Sequence, residues 1–103
     1  MRRIIENKVY DTATATAVAN YSNSYGTSDF KFIRETLFMT KKKNFFIHGR
    51  GGAMTRYADR VANMSCYGEA IRPLDEQQLL EWCFETENDF VIEEHMNHLI
   101  DEA

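Results

Sequence analysis

The stretch KFIRETLFMTKKKNFFIH, residues 31–48, predicts a β-hairpin at the centre of the fold. Its first part, 31–40, is rich in Phe, Ile, Thr and Leu, which favour extended backbone. The three lysines and the asparagine at 41–44 suit a solvated turn, because adjacent like charges repel one another. Residues 45–48 then return as a second strand, and the glycine-rich run 49–52 is expected to end it.

The segments on either side of this hairpin predict further elements. Upstream, residues 4–10 are typical of a short strand with Asn7 as a turn residue. Residues 13–21 predict a helix, because their apolar positions recur at helical spacing. Downstream, residues 54–64 are a weak helix candidate. Residues 69–74 predict a last short strand.

The clearest local signal in the chain is a helix start at Asp75. Asp75 is an N-cap residue, Gln78 follows three positions later as in a capping box, and the flanking leucines form a hydrophobic staple. We expect this helix to run to about Glu85. A final helix should begin at Thr86 or Asn88, and its apolar stripe is Ile92, His95, Met96 and Leu99.

The composition fits one ordinary folded domain spanning residues 1–103. At 103 residues the chain has the length of a single domain, and its 44% hydrophobic content excludes a disordered protein. The order of elements predicts the α+β class, with a small antiparallel sheet of three or four strands and helices packed on one face.

Charge is distributed unevenly along the chain. Residues 1–60 contain eleven Lys and Arg against five Asp and Glu, a net charge of +6, whereas residues 61–103 carry a net charge of −10. No Lys or Arg follows Leu74. We therefore expect a folded domain with a basic end and an acidic end, the acidic end suited to a strongly basic partner.

The acidic part predicts a partner-binding surface on the last two helices. A basic protein surface is the complementary partner, because opposite charges speed and orient docking. Trp82 and Tyr57 are candidate anchors if they are exposed. The acidic residues that we expect to contact the partner are Asp75, Glu76, Glu85, Glu87, Asp89, Glu93 and Glu94.

The glycine-rich run and its basic neighbours are candidates for an anion site. Glycines expose backbone N–H groups that can hold phosphate, but the third glycine of a dinucleotide fingerprint and the Gly-Lys-Ser/Thr ending of a P-loop are both absent. The structural alternative is a turn that needs positive φ at several glycines. The side chains that would form the basic patch are Lys41, Lys42, Lys43, Arg50 and Arg56.

The cysteines and two histidines could hold a metal. His95 and His98 lie three residues apart on the last predicted helix, and with Cys66 and Cys83 they could complete the four ligands that zinc takes. The short Cys-x-x-Cys spacing is absent, and the alternative is that both cysteines are small buried hydrophobes. No bound cofactor is expected outside this zinc alternative.

No catalytic constellation is evident in the sequence. His48 is the histidine best placed for chemistry, at a strand end beside glycines, but no nucleophile or catalytic-cysteine signature accompanies it. The carboxylate pairs of the acidic part are typical of solvated helix faces. We therefore expect a protein that acts by binding and not an enzyme.

Six short strings occur together in the sequence: VYDT (9–12), YGxxDF (25–30), ETLFxTK (35–41), FxHGxGGxMxxY (46–57), PL (73–74) and EW (81–82), where x is any residue. Together they resemble a group of short uncharacterised proteins from phages and integrative elements of Firmicutes, streptococci among them. Ala53 and Lys43 differ from that group, which has proline and glycine at these positions. The resemblance implies a mobile-element accessory protein, and small acidic phage proteins of this kind are often inhibitors of host defence, such as anti-CRISPR proteins.

These observations leave three functions open. The first is an inhibitor of a host defence nuclease, most specifically an anti-CRISPR protein that binds a Cas effector. The second is a nucleic-acid-binding regulator that uses the basic patch, and the third is a small zinc protein. Since Glu6 interrupts any apolar segment after Met1, we expect no signal peptide or membrane span, a cytoplasmic location and reduced thiols.

Overall fold

The computed structural model describes all residues from 1 to 103. The elements are β1 (Arg2–Ile5), β2 (Lys8–Asp11), β3 (Thr16–Ser22), β4 (Ile33–Met39), β5 (Phe45–Gly51), β6 (Asp59–Val61), β7 (Met64–Cys66), β8 (Gly68–Leu74), α1 (Glu76–Thr86), α2 (Asp89–His95) and a 3₁₀ turn at Asn97–Leu99. Four strands form the central sheet in the order β3-β4-β5-β8, and all neighbours are antiparallel. The predicted α+β class is confirmed.

The predicted central hairpin is strands β4 and β5. Leu37 pairs with Ile47 and Phe38 with Phe46, and the turn is closed by the Thr40 amide donating to the Asn44 carbonyl at 2.8 Å. Strand β5 does not end at residue 48 as predicted. It continues through the glycines to position 51, because these glycines have no positive φ and pair with β4 and β8.

The helices cover one face of the sheet and enclose the larger core. Leu37 and Ile47 from the sheet pack with Trp82 of α1 and Val91 of α2, and all four are buried. On the opposite face, the β1–β2 hairpin packs over Phe46 near the tip end of the central hairpin, in a second apolar cluster. The remaining half of that opposite face carries no covering element and is polar.

Residues 13–21, predicted as a helix, instead form the edge strand β3 over most of their length. A register shift between Ala17 and Ala19 marks a bulge, and Val18, Ala19 and Tyr21 all pack on the helix-covered side. The bulge breaks the strict alternation of a strand. Val18 and Tyr21 therefore lie on the same side although they are three positions apart, which is also the spacing of a helix face.

The segment 54–64 also differs from its prediction as a helix. It contains turns and then strand β6, which pairs with β7 through the two-residue turn Ala62 and Asn63, both at positive φ. Two-residue turns of this kind suit the twist of a hairpin. The N-terminal hairpin has the same form at Glu6 and Asn7, so the predicted turn at Asn7 is confirmed.

The capping box at Asp75 is confirmed by two reciprocal hydrogen bonds. The Gln78 amide donates to Asp75 Oδ1 at 2.8 Å, and the Asp75 amide donates to Gln78 Oε1 at 2.9 Å. The final helix is shorter than predicted, because it ends at His95 and Leu99 lies exposed in a 3₁₀ turn. Neither helix has the length and apolar character that crossing a bilayer requires.

Candidate functional site

Helices α1 and α2, named here the acidic helices, present carboxylates to solvent along their outer surface. No Lys or Arg occurs in them or after them. Their basic neighbours are histidines, with Glu94 3.7 Å from His95 and Glu76 3.4 Å from His98. Every acidic residue predicted to contact a partner is exposed: Asp75, Glu76, Glu85, Glu87, Asp89, Glu93 and Glu94.

The basic tip of the central hairpin approaches one end of the acidic helices. Lys43 lines a cleft of about 530 Å³ together with Asp75, Glu76 and Glu94. The separation of charge along the chain is therefore incomplete in space at this point. The carboxylates further along α1 and at the start of α2 lie outside this cleft.

The two predicted anchors are buried and are not available to a partner. Trp82 is 4% exposed and Tyr57 is 7% exposed, and both donate hydrogen bonds to the carboxylate of Glu35. The aromatic side chains that the acidic helices do expose are Phe84 and Phe90. These two are flanked in the sequence by the acidic residues at 85, 87 and 89.

Glu35 is the centre of a buried polar network under the helices. Its carboxylate, 2% exposed, accepts hydrogen bonds from Trp82 Nε1 at 3.0 Å, from Arg72 at 3.2 Å and from the Tyr57 hydroxyl. Burial, and then the bond and charge of Glu35, raise the pKa of Tyr57 to about 12. Strand alternation from Leu37 was the signal that could have placed Glu35 on the covered face.

The glycine-rich run is a packing feature and not an anion-binding turn. A Cβ on Gly49 would overlap the ring of Tyr57, and a Cβ on Gly51 would overlap the hydroxyl of Thr55. The amide of Gly52 donates to the Phe32 carbonyl at 3.1 Å, so it is not free to hold phosphate. The expectation of positive φ at these glycines is also wrong, since none has it.

The predicted basic residues do not form one patch. Lys41, Lys42 and Lys43 occupy the hairpin tip, whereas Arg50 lies at the far end of β5, roughly 20 Å away at the usual rise per strand residue. Arg56 lies over the ring of Tyr57, with its guanidinium carbon 5.8 Å from the ring centre.

The four candidate zinc ligands are not brought together. Cys83 is fully buried in the core, where burial and then the charge of Asp89 raise its pKa to about 11. Cys66 lies on the β6–β7 hairpin, and its thiol contacts the Asp59 carbonyl. His95 packs edge-on against Phe45, and His98 contacts Glu76. The structure contains no group of three or more metal-binding side chains.

His48 lies on the uncovered half of the sheet, which we name the polar sheet face and define as Asn20, Ser22, Arg34, Thr36, His48 and Arg50. Its Nε2 is 2.9 Å from Glu69 Oε2. The neighbouring hydroxyl, that of Thr36, donates to Asn20 Oδ1 and not to the imidazole. The contact that the imidazole makes is therefore with a carboxylate and not with a hydroxyl.

Two exposed surfaces remain that can bind a charged partner. The acidic helices offer carboxylates and two phenylalanines to a basic surface, and the polar sheet face offers guanidinium groups to an anion. Comparisons with protein-family models, curated proteins and solved structures found no match for this chain.

Proposed function

We propose that this chain is a phage or mobile-element accessory protein that binds and inhibits a host defence nuclease, most specifically a Cas effector, in the manner of an anti-CRISPR protein. One observation carries the proposal: all seven acidic side chains expected to contact a partner are exposed on two adjacent helices and at the caps of the first, without a Lys or Arg among them. The resemblance to phage and integrative-element proteins supports the setting.

A channel that holds nucleic acid is the basic surface that best fits the exposed carboxylates of the acidic helices. Channels that hold nucleic acid are lined with Lys and Arg, which follow the phosphate backbone. An acidic protein surface that occupies this channel excludes the nucleic acid by competing for the same basic side chains. Complementary charge also raises the association rate, and salt reduces that gain.

Phe84 and Phe90 supply the apolar contacts that the buried Trp82 and Tyr57 cannot. Binding energy usually concentrates in a few aromatic or arginine anchors that are surrounded by polar residues. Each phenylalanine is large, exposed and adjacent in sequence to a carboxylate. Replacing Phe84 by Ala should weaken binding by at least tenfold, about 1.4 kcal/mol, while leaving folding almost unchanged.

The decisive test uses charge reversal at Glu85 in a cleavage assay with a purified, guide-loaded streptococcal Cas nuclease. Glu85 lies in the last turn of α1, where a carboxylate opposes the helix dipole. Glu85→Lys should therefore stabilise the helix and weaken inhibition at the same time, so loss of folding cannot explain the result. Glu93→Lys should add to the loss of inhibition.

The matched control is Glu6→Lys, an equal change of charge in the exposed turn of the N-terminal hairpin. This variant should inhibit as the natural chain does. Inhibition that is unaffected by the reversals at 85 and 93, or that falls equally with the change at residue 6, would contradict the proposed surface. A chain that binds no Cas effector and inhibits no nuclease would remove the proposed function.

A further inference from the structure

We propose that the polar sheet face binds a phosphate group carried by a small ligand. This face lies on the side of the sheet opposite the helices, so the inference does not depend on the acidic helices or on their partner. Its six residues, together with Tyr21 and Glu35, line a cleft of about 410 Å³, a volume within the range of small-molecule sites.

The register of the sheet places the six side chains in two adjacent rows. In one row Ser22 pairs with Arg34, and Arg34 pairs with Arg50. In the next row Asn20 pairs with Thr36, and Thr36 pairs with His48. Directly opposed residues have Cβ atoms about 5 Å apart, so both guanidinium groups can reach one ligand group.

The two arginines are directly opposite each other in the register of β4 and β5. Like charges in this position destabilise a sheet, and a bound dianion would reverse that effect. Arg34 uses two of its N–H groups on the carbonyls of Ile33 and Tyr25, at 3.0 and 2.8 Å, and three remain. The side chain of Arg50 makes no hydrogen bond or ion pair within the chain, although its backbone pairs with β4 and β8.

The nearby carboxylate does not neutralise Arg50. Glu69 is its direct partner on β8, yet the Glu69 carboxylate contacts His48 Nε2 at 2.9 Å and forms no ion pair with Arg50. This contact holds the imidazole beside the cleft and leaves the charge of Arg50 uncompensated. The polar sheet face therefore presents a net positive charge to solvent.

Neutral donors complete the arrangement. The Thr36 hydroxyl donates to Asn20 Oδ1 at 2.9 Å, which turns the amide so that Asn20 Nδ2 has no partner in the chain. A free amide and two guanidinium groups match the several acceptor oxygens of a phosphate, which forms its strongest bonds with arginine. The cleft has room beyond one phosphate, so a small phosphate ester fits it.

The test is titration of the full-length chain with inorganic phosphate, AMP and adenosine, followed by amide shifts in nuclear magnetic resonance spectra. Phosphate and AMP should shift the amides of residues 34, 36, 48 and 50, and adenosine should not. Tighter binding of AMP than of phosphate identifies an ester as the ligand, and equal binding identifies the phosphate group alone.

Arg50→Gln removes the uncompensated charge from an exposed position and should weaken phosphate binding about tenfold. Lys42→Gln removes the same charge at the hairpin tip and should leave binding almost unchanged. The proposal is overturned if neither anion binds at millimolar concentration, if the shifts map to the tip lysines, or if Arg50→Gln binds as the natural chain does. Much tighter binding of a thymidine oligonucleotide, increasing with its length, would also overturn it by assigning a nucleic acid instead.

Discussion

The two faces of the central sheet use charged residues in opposite ways. Under the helices, the carboxylate of Glu35 is surrounded by donors from three other elements or loops and is closed to solvent. On the polar sheet face, Arg50 belongs to the same hairpin, but its guanidinium forms no hydrogen bond or ion pair within the chain. Two neighbouring strands therefore carry charged side chains with different roles: Glu35 on β4 is bonded in the interior, and Arg50 on β5 is exposed to solvent. The difference arises because the helices cover one face of the sheet and leave the other open.

The largest effect on stability is expected from removing the buried carboxylate of Glu35. Glu35→Ala leaves the buried Tyr57 hydroxyl and Trp82 indole without their acceptor, and it removes the ion pair of the partly exposed Arg72. Loss of one member of such a network should lower the free energy of unfolding by about 3–5 kcal/mol. Urea unfolding followed by tryptophan fluorescence measures the change.

The matched change on the other face is Glu69→Ala. Glu69 is exposed and contacts one partially exposed histidine, so its removal should cost less than about 1 kcal/mol. Equal losses for the two glutamates would show that the two faces do not differ in the way described.

The sequence pattern predicts which residues of the central hairpin lie on each face, but it does not predict the contacts that they make there. Strand alternation from Leu37 and Ile47 correctly separates the faces of the central hairpin, because both residues pack under the helices. Alternation cannot show that Tyr57, twenty-two positions after Glu35, returns to bind it. That contact depends on the turns after β5, which the sequence pattern had predicted as a helix.

The two exposed surfaces also differ in how far the sequence predicted them. The capping box and the charge count correctly predicted exposed acidic residues on α1, because capping is local and carboxylates stay solvated. The polar sheet face was missed, since it needs three strands in register and a hairpin that covers only half of one face. Arg50 was singled out as basic, but its pairing with Arg34 is a tertiary result.

A smaller disturbance of the covered face is Gly49→Ala. The added methyl would overlap the Tyr57 ring and force it away from Glu35, which should cost about 2–3 kcal/mol. In a Tyr57→Ala background the same substitution should cost almost nothing, because the ring is gone. Gly26→Ala is the control, since a Cβ there meets no atom within 4 Å. An equal cost in both backgrounds would contradict the proposed overlap.

The covered face should also weaken at alkaline pH. The pKa of Tyr57 is raised from 10.0 to about 12, so the unfolded chain loses this proton first and stability falls as pH rises from 10 to 12. Full loss amounts to roughly 2–3 kcal/mol. The raised pKa of Cys83, about 11 against 9.0, adds a loss that begins near pH 9.

Thermal unfolding of Tyr57→Phe and Cys83→Ala across this pH range separates the two contributions. Each variant should lose stability less steeply than the natural chain, Tyr57→Phe mainly above pH 10 and Cys83→Ala from lower pH. A Tyr57→Phe variant with the same alkaline slope as the natural chain would mean that the hydroxyl is not held in its protonated form by burial and by Glu35.

The smallest expected effect lies on the polar sheet face. Arg50→Gln removes an exposed charge with no partner, so the free energy of unfolding should change by no more than about 0.5 kcal/mol. The sign should be towards greater stability, because the repulsion from the directly opposite Arg34 is relieved while Glu69, opposite on β8, contacts His48 and forms no ion pair with Arg50. Adding phosphate should raise the melting temperature of the natural chain above that of the variant and so reverse their order. A variant clearly less stable than the natural chain without phosphate would place Arg50 among the structural charges, and the two faces would then differ in exposure alone.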